Sequence, residues 1–178
     1  MRIARWTEGL ATHGMESLAL KGGDKRGRGT SKVPVHVMAA TRNEAITFAR
    51  MEVLENVDGE HIKAILEKRV SMAQAIKTDG LAAFNLVKEI GHKHNPTVAY
   101  PRKGGPNHDV LKWVNILVSN AKAFILGTYH RVMAKHLQKY LDEFCYRFNR
   151  RFWPGQGFDR LLRACSNAAP VTYAELRG

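Results

Sequence analysis

Apolar and polar residues alternate with different periods along this chain, and each change of period predicts an element. Residues 33–40, VPVHVMAA, form a β-branched run of the buried-strand type, followed by a polar turn, TRNE. ITFARMEVLENV (46–57) alternates in part and predicts a second strand, so the pair makes a hairpin. In GEHIKAILEKRV (59–70), Ile62, Ile65, Leu66 and Val70 recur at helical spacing. MAQAIKTDG (72–80) predicts a short strand ending at Asp79 and Gly80. LAAFNLVKEIGHKHN then gives a short helix and a polar loop, and TVAYP (97–101) a last strand stopped by proline. From there the pattern is helical, over 108–126, 133–152 and 158–167. Residues 1–20 show no clear period, and no internal repeat is visible. The order predicts an α/β domain, a mixed sheet flanked by helices with a helical C-terminal part. Its expected limits are an unreadable segment at 1–20, a core at 21–168 and a tail at 169–178.

Wound at about 100° per residue, the 108–126 helix divides into two faces. Val110, Val114, Leu117, Val118, Ala121 and Ile125 form an apolar stripe, and His108, Lys112, Asn115, Ser119 and Lys122 gather opposite. Asn115 and Lys122 are seven positions apart, so they share one side about two turns from each other. The plain account of that face is solvation. Asp79 adds a sharper one, because strand ends in α/β sheets are where sites are commonly built. A carboxylate there, beside a polar helix face, suits a hard divalent cation held by oxygen ligands; the alternative is an ordinary turn aspartate.

In the next helix Leu137, Tyr140, Leu141, Phe144 and Phe148 make the apolar stripe, and Arg147, Arg150 and Arg151 a basic end suited to phosphate contacts. Trp153-Pro154 ends it. His92, His94 and His108 flank polar loops and are expected to be solvated rather than metal ligands. Cys145 and Cys165 form no C-x-x-C pair, so no structural zinc site is visible.

Charge narrows the class of partner. The 178 residues suit one domain, and 28 Lys+Arg against 16 Asp+Glu give a formal charge of +12 and a pI near 10.0. Such an excess favours polyanions, because each neutralised phosphate releases condensed counterions. KGGDKRGRGTSK (21–32) concentrates Lys21, Lys25, Arg26, Arg28 and Lys32 in a Gly-rich loop, either a solvated surface or a DNA-backbone contact. No signal peptide or membrane span is apparent, and a cytoplasmic, nucleoid-associated protein is expected. A basic structural nucleic-acid protein, such as a ribosomal one, fits the same charge.

The string GTYHRVMAKHLQKYLDEFCYRFNRRF (127–152) resembles the C-terminal signature of the ISXO-two-like insertion-sequence transposases. The resemblance rests on Gly127-Thr128-Tyr129-His130, taken as a turn, then His136-Leu137-Gln138, Tyr140 to Phe144, and Arg147 to Arg151. Upstream, Asp79-Gly80 in KTDGLAAF is similar to the family's TDG segment, and GGDKRGRG (22–29) to its Gly-rich loop. This implies an RNase H-like core that cleaves and transfers DNA strands with Mg2+ or Mn2+. Asp79 and Asn115 would be metal ligands in an Asn form of the acidic triad, with Lys122 orienting DNA near the reacting phosphate. The implied DNA contacts are Lys25, Arg26, Arg28, Lys32, Lys112, Lys122, Arg147, Arg150 and Arg151, on terminal inverted repeats and target DNA, with a homo-oligomer assembled there. Two departures stand out. The family's first Asp falls on Ser17 or near Thr12 and His13, and none is an Asp; the acids before Asp24 are Glu8 and Glu16, of which Glu16 is the candidate substitute. The family's zinc ribbon and helix-turn-helix have no counterpart either, so a truncated member that binds DNA better than it cuts is expected.

Overall fold

The computed structural model describes residues 10–18, 33–71, 74–97, 111–129 and 132–177; of 10–18, 176 and 177 it describes the backbone alone. Five strands form one sheet in the order β3-β2-β1-β4-β5. β1 (Leu10–Leu18), β2 (Val33–Arg42) and β3 (Ala45–Val53) are antiparallel neighbours, and β4 (Ala75–Thr78) and β5 (Lys93–Pro96) join β1 in parallel. The fold is therefore mixed α/β.

β2 is a continuous apolar run because both of its faces are covered. Val35, Val37 and Ala39 join Ala49 and Met51 of β3 under α2 (Lys112–Tyr129) and α3 (Leu137–Asn149). The alternate residues Met38 and Ala40 pack with Ile62 and Leu66 of α1 (Gly59–Arg69), Ile76 of β4, and Phe84 and Val87 of a 3₁₀ segment at Ala82–Val87. His36 falls on that second face, fully buried with its ring 5.6 Å from that of Phe84. α1 starts at Asp58, whose carboxylate accepts the His61 backbone N–H at 2.9 Å, and ends on Lys68 and Arg69, which suit the C-terminal dipole. Arg69 also reaches Glu52 of β3 at 3.0 Å, tying the helix end to the sheet.

The β2–β3 connection is a two-residue turn with Asn43 at φ 50° and Glu44 at φ 62°. Paired left-handed residues match the twist of a tight hairpin, and the Glu44 carbonyl is pinned by the Trp113 indole N–H at 3.0 Å. β3 is an edge strand, and its outward backbone groups are closed by α3. The Gln138 amide accepts from Val53 N–H at 2.7 Å and donates to Met51 O at 3.0 Å. Asn149 accepts from Ala49 N–H at 2.7 Å and donates to Ala49 O at 2.8 Å. Arg151 donates to Ile46 O at 2.6 Å. Two side-chain amides of α3 and the Arg151 guanidinium just after it thus take the place of a sixth strand, which covers an aggregation-prone edge.

Several expectations are corrected. The sheet begins at Leu10, within the segment that showed no period, because β1 is fixed by nine residue pairs with β2 rather than by its own alternation. Among the described residues the last strand is the polar KHNP at Lys93–Pro96, which backbone pairing with β4 selects; of the strand expected at 97–101 only Thr97 is described, outside any strand. Residues 98–101 lie outside the described residues. Gly127-Thr128-Tyr129 is no turn: α2 runs through Tyr129, where nothing around Gly127 crowds the helix, and His130 lies outside the described residues. The 133–152 helix divides into a 3₁₀ turn at Ala134–His136 and α3. The helix foreseen at 158–167 starts at Pro154, a residue pre-set for the first turn, and becomes α4 (Pro154–Ser166). A short α5 (Tyr173–Arg177) falls in the expected tail.

Candidate functional site

Asp79 directly follows β4, in a turn that needs Gly80 at φ 75°, a conformation favouring glycine. Its Oδ1 accepts the Leu81 N–H at 3.2 Å, an Asx turn that fixes the carboxylate against the sheet end. The preceding Thr78 is fully buried; its hydroxyl lies 2.9 Å from His94 Nε2 on β5 and accepts the Gly80 N–H at 3.4 Å. This pair braces the turn that carries Asp79, and sequence reasoning missed it because β5 was expected elsewhere. His94 is half-buried and His92 buried, so neither is the solvated loop residue expected. Burial lowers the pKa of both, reinforced at His94 by Lys88. Pairing of β5 with β4 is what draws the HKHN segment inward.

α2 packs over β1 and β2. Its buried stripe, Val114, Leu117, Val118, Ala121 and Ile125, agrees with the periodicity; Val110 lies outside the described residues. Trp113 and Phe124 form one flank of that stripe, Trp113 bonded to the β2–β3 turn and Phe124 against Phe144 of α3 at 5.9 Å. Asn115 and Lys122 form the opposite flank, about 180° around the helix. Since β3 and α3 occupy one side, that flank is turned to the β1–β4 side, where Asp79 lies. Asn115 is exposed and Lys122 half-buried. Lys77 alternates with the inward Ile76 and Thr78, which gives it the α2 face of the sheet next to Asp79. Its position was readable only once β4 was oriented.

β1 lies between β2 and β4 in the sheet, with α2 over it. Thr12 pairs with Lys77 as the last pair of the parallel ladder, and the same register continued by two residues leads to Gly14 and Asp79. The one acid of β1, Glu16, lies two residues beyond Gly14 and pairs with Val35 of β2. Among the described residues no three His, Cys, Asp or Glu side chains are grouped to hold a metal. A pair of dications needs several oxygen ligands and their charge. Among the described side chains, one carboxylate, Asp79, and one neutral amide, Asn115, do not fit such a centre.

The basic residues separate by what they touch. Lys112 is exposed, its Nζ 5.9 Å from the Trp113 ring. Arg147 is exposed and pairs with Glu143 at 2.8 Å. The Tyr129 hydroxyl also donates to Glu143, at 2.5 Å; that bond, followed by Arg147, lowers the Glu143 pKa, and it raises that of Tyr129. Arg150 stacks on Tyr146 at 3.6 Å. Arg151 spends its guanidinium on Ile46 O and Phe148 O and lies 4.0 Å from the Phe148 ring, and partial burial lowers its pKa. Lys25, Arg26, Arg28, Lys32 and His108 lie outside the described residues.

The chain thus combines a mixed sheet, α2 packed over β1 and β2, and an aspartate at the end of β4. Residues 12–149 match the model of the ISXO2-like transposase domain, and the chain belongs to that family. No curated protein matches it. It is therefore an insertion-sequence transposase domain, and no described helix is long and apolar enough to cross a membrane. The match runs from β1 to the end of α3; α4 and α5 lie beyond it.

Proposed function

We propose that this transposase domain holds insertion-sequence DNA without cutting it. The observation that carries the proposal is the absence of a carboxylate from β1 level with Asp79. The strand order β3-β2-β1-β4-β5 supports an RNase H-like reading of the sheet, in which that level is where two acids must face each other. With one carboxylate between Lys77 and Lys122, the surface attracts a phosphate oxygen more strongly than a dication. Asn115, Lys112 and Lys122 then contact the DNA backbone, as does the basic loop with Lys25, Arg26, Arg28 and Lys32.

The competing reading is metal-dependent strand cleavage and transfer with Asp79 and Asn115 as ligands of Mg2+ or Mn2+ and Lys122 orienting the DNA. The shared flank of Asn115 and Lys122 favours it. Incubation with terminal-repeat duplexes and Mn2+ separates the two. Salt-dependent binding with no nicking is the expected result; nicking abolished by Asp79→Ala overturns the proposal.

A further inference from the structure

Just after α3, two neighbouring aromatic rings stay in solvent: Phe152 is 64% and Trp153 57% exposed. Both lie past the family match, which closes at residue 149. Such rings ordinarily bury most of their area, so an adjacent exposed pair marks a contact surface. The pair is held in place from the core outward. Phe144 stacks on Phe148 at 6.0 Å, and the Arg151 guanidinium lies 4.0 Å from the Phe148 ring and 4.2 Å from that of Phe152. Trp153 meets Phe152 edge-on at 6.1 Å. Arg151 is itself fixed on Ile46 O and Phe148 O, and the Trp153 N–H donates to Arg150 O at 2.9 Å. Beyond the rings the Tyr146 hydroxyl donates to Gly157 O at 2.8 Å and ties the start of α4 to α3. Rings on such a support lose little freedom when a ligand stacks on them.

We propose that Phe152 and Trp153 form a stacking platform for unpaired bases of a DNA strand. Two observations select that partner. Residues 147–163 carry five arginines and one acid, Asp159, so the field around the rings favours a polyanion. The rings themselves are flat, exposed and already in contact with a guanidinium, and a base offers them a π-face that stacks whatever its sequence. In a duplex each base face is covered by its neighbours, and the rings would meet only sugar and phosphate. An unpaired base has a free face, so a single-stranded end or a frayed step is the form of DNA this site takes. An anionic lipid surface would answer the same charge, but it would use the apolar area of the side chains and not their flat faces. The platform rests on the reading that the domain holds DNA, and adds the place where a melted strand lies.

Binding of the full chain to two strands of equal length and charge tests the platform: oligodeoxyadenylate, and the same backbone without bases. Oligodeoxyadenylate is expected to bind about tenfold or more tighter. Phe152→Leu with Trp153→Leu keeps the apolar surface but removes both rings, and is expected to abolish the difference. Phe152→Tyr with Trp153→Phe keeps the rings and is expected to preserve it. Because both side chains are exposed, thermal unfolding midpoints are expected to agree across the variants. Stacking also quenches Trp153 emission, read as the difference between the unaltered chain and Trp153→Phe. Equal affinity for the two strands overturns the proposal, as does a preference that survives the leucine substitutions, or Trp153 emission that oligodeoxyadenylate leaves unchanged. Binding to phosphatidylserine vesicles that the leucine variant retains, with no preference between the strands, overturns it in favour of a membrane contact. A blunt duplex separates the platform from the reading beneath it. Duplex binding without the strand preference sinks the platform alone, and a chain that binds neither strand nor duplex sinks both.

Discussion

Asn149 lies between the arginines at the end of the family signature, and its amide is joined to both backbone groups of Ala49. Asn149→Ala leaves the N–H and C=O of a fully buried residue without those partners. Each unsatisfied buried group costs about 1–3 kcal/mol, so the substitution is expected to destabilise by about 2–5 kcal/mol. For a chain of this size that is about 5–15 °C in Tm. Against a total stability of about 5–15 kcal/mol the loss is large. Asn149→Asp, which keeps the acceptor and removes the donor, is expected to fall between. Thermal or urea unfolding gives the stability, and titration of a duplex at several salt concentrations gives the affinity and its salt slope. The reasoning fails if Asn149→Ala leaves Tm unchanged while affinity falls, because the amide would then be reading DNA rather than closing the edge of β3.

Arg151→Lys is expected to cost about 1–2 kcal/mol, since an ammonium cannot reproduce the fork on Ile46 O and Phe148 O, and to leave the salt slope unchanged. Lys112→Ala is expected to reduce that slope by about 1 with little loss of Tm; equal slopes for the two variants would refute this division of the basic residues. His36 supplies a pH dependence: burial lowers its pKa to about 4 from 6.5, with Glu52 opposing weakly. The folded state binds fewer protons than the unfolded one between those values, so stability falls as pH drops below 6.5, by about 3 kcal/mol once both forms are protonated. Urea midpoints for the chain and for His36→Phe are expected to diverge over that window, and parallel curves would refute the assignment.

The strongly periodic elements were legible in the sequence because their burial is local in origin. β2, α1 and the stripe of α2 follow from apolar spacing alone. The family was legible too, from the 127–152 string and Asp79-Gly80. The grouping of Asn115 with Lys122 needed only the helical period. What each residue faces did not. β1 has no alternation of its own, and its place at the centre of the sheet comes from hydrogen bonding to β2 and β4. That register, invisible in LATHGMESL, sets Thr12 beside Lys77, two residues short of Asp79. The polar strand β5 exists because β4 offers it an edge, and its pairing turns His92 and His94 inward. Arg151 looks like a DNA-contacting residue in sequence; only the packing of α3 along β3 brings it and Asn149 to backbone groups a hundred residues away. Periodicity records which side of an element avoids water. It carries no information about which distant backbone donor or acceptor a polar side chain will meet, and tertiary packing decides that.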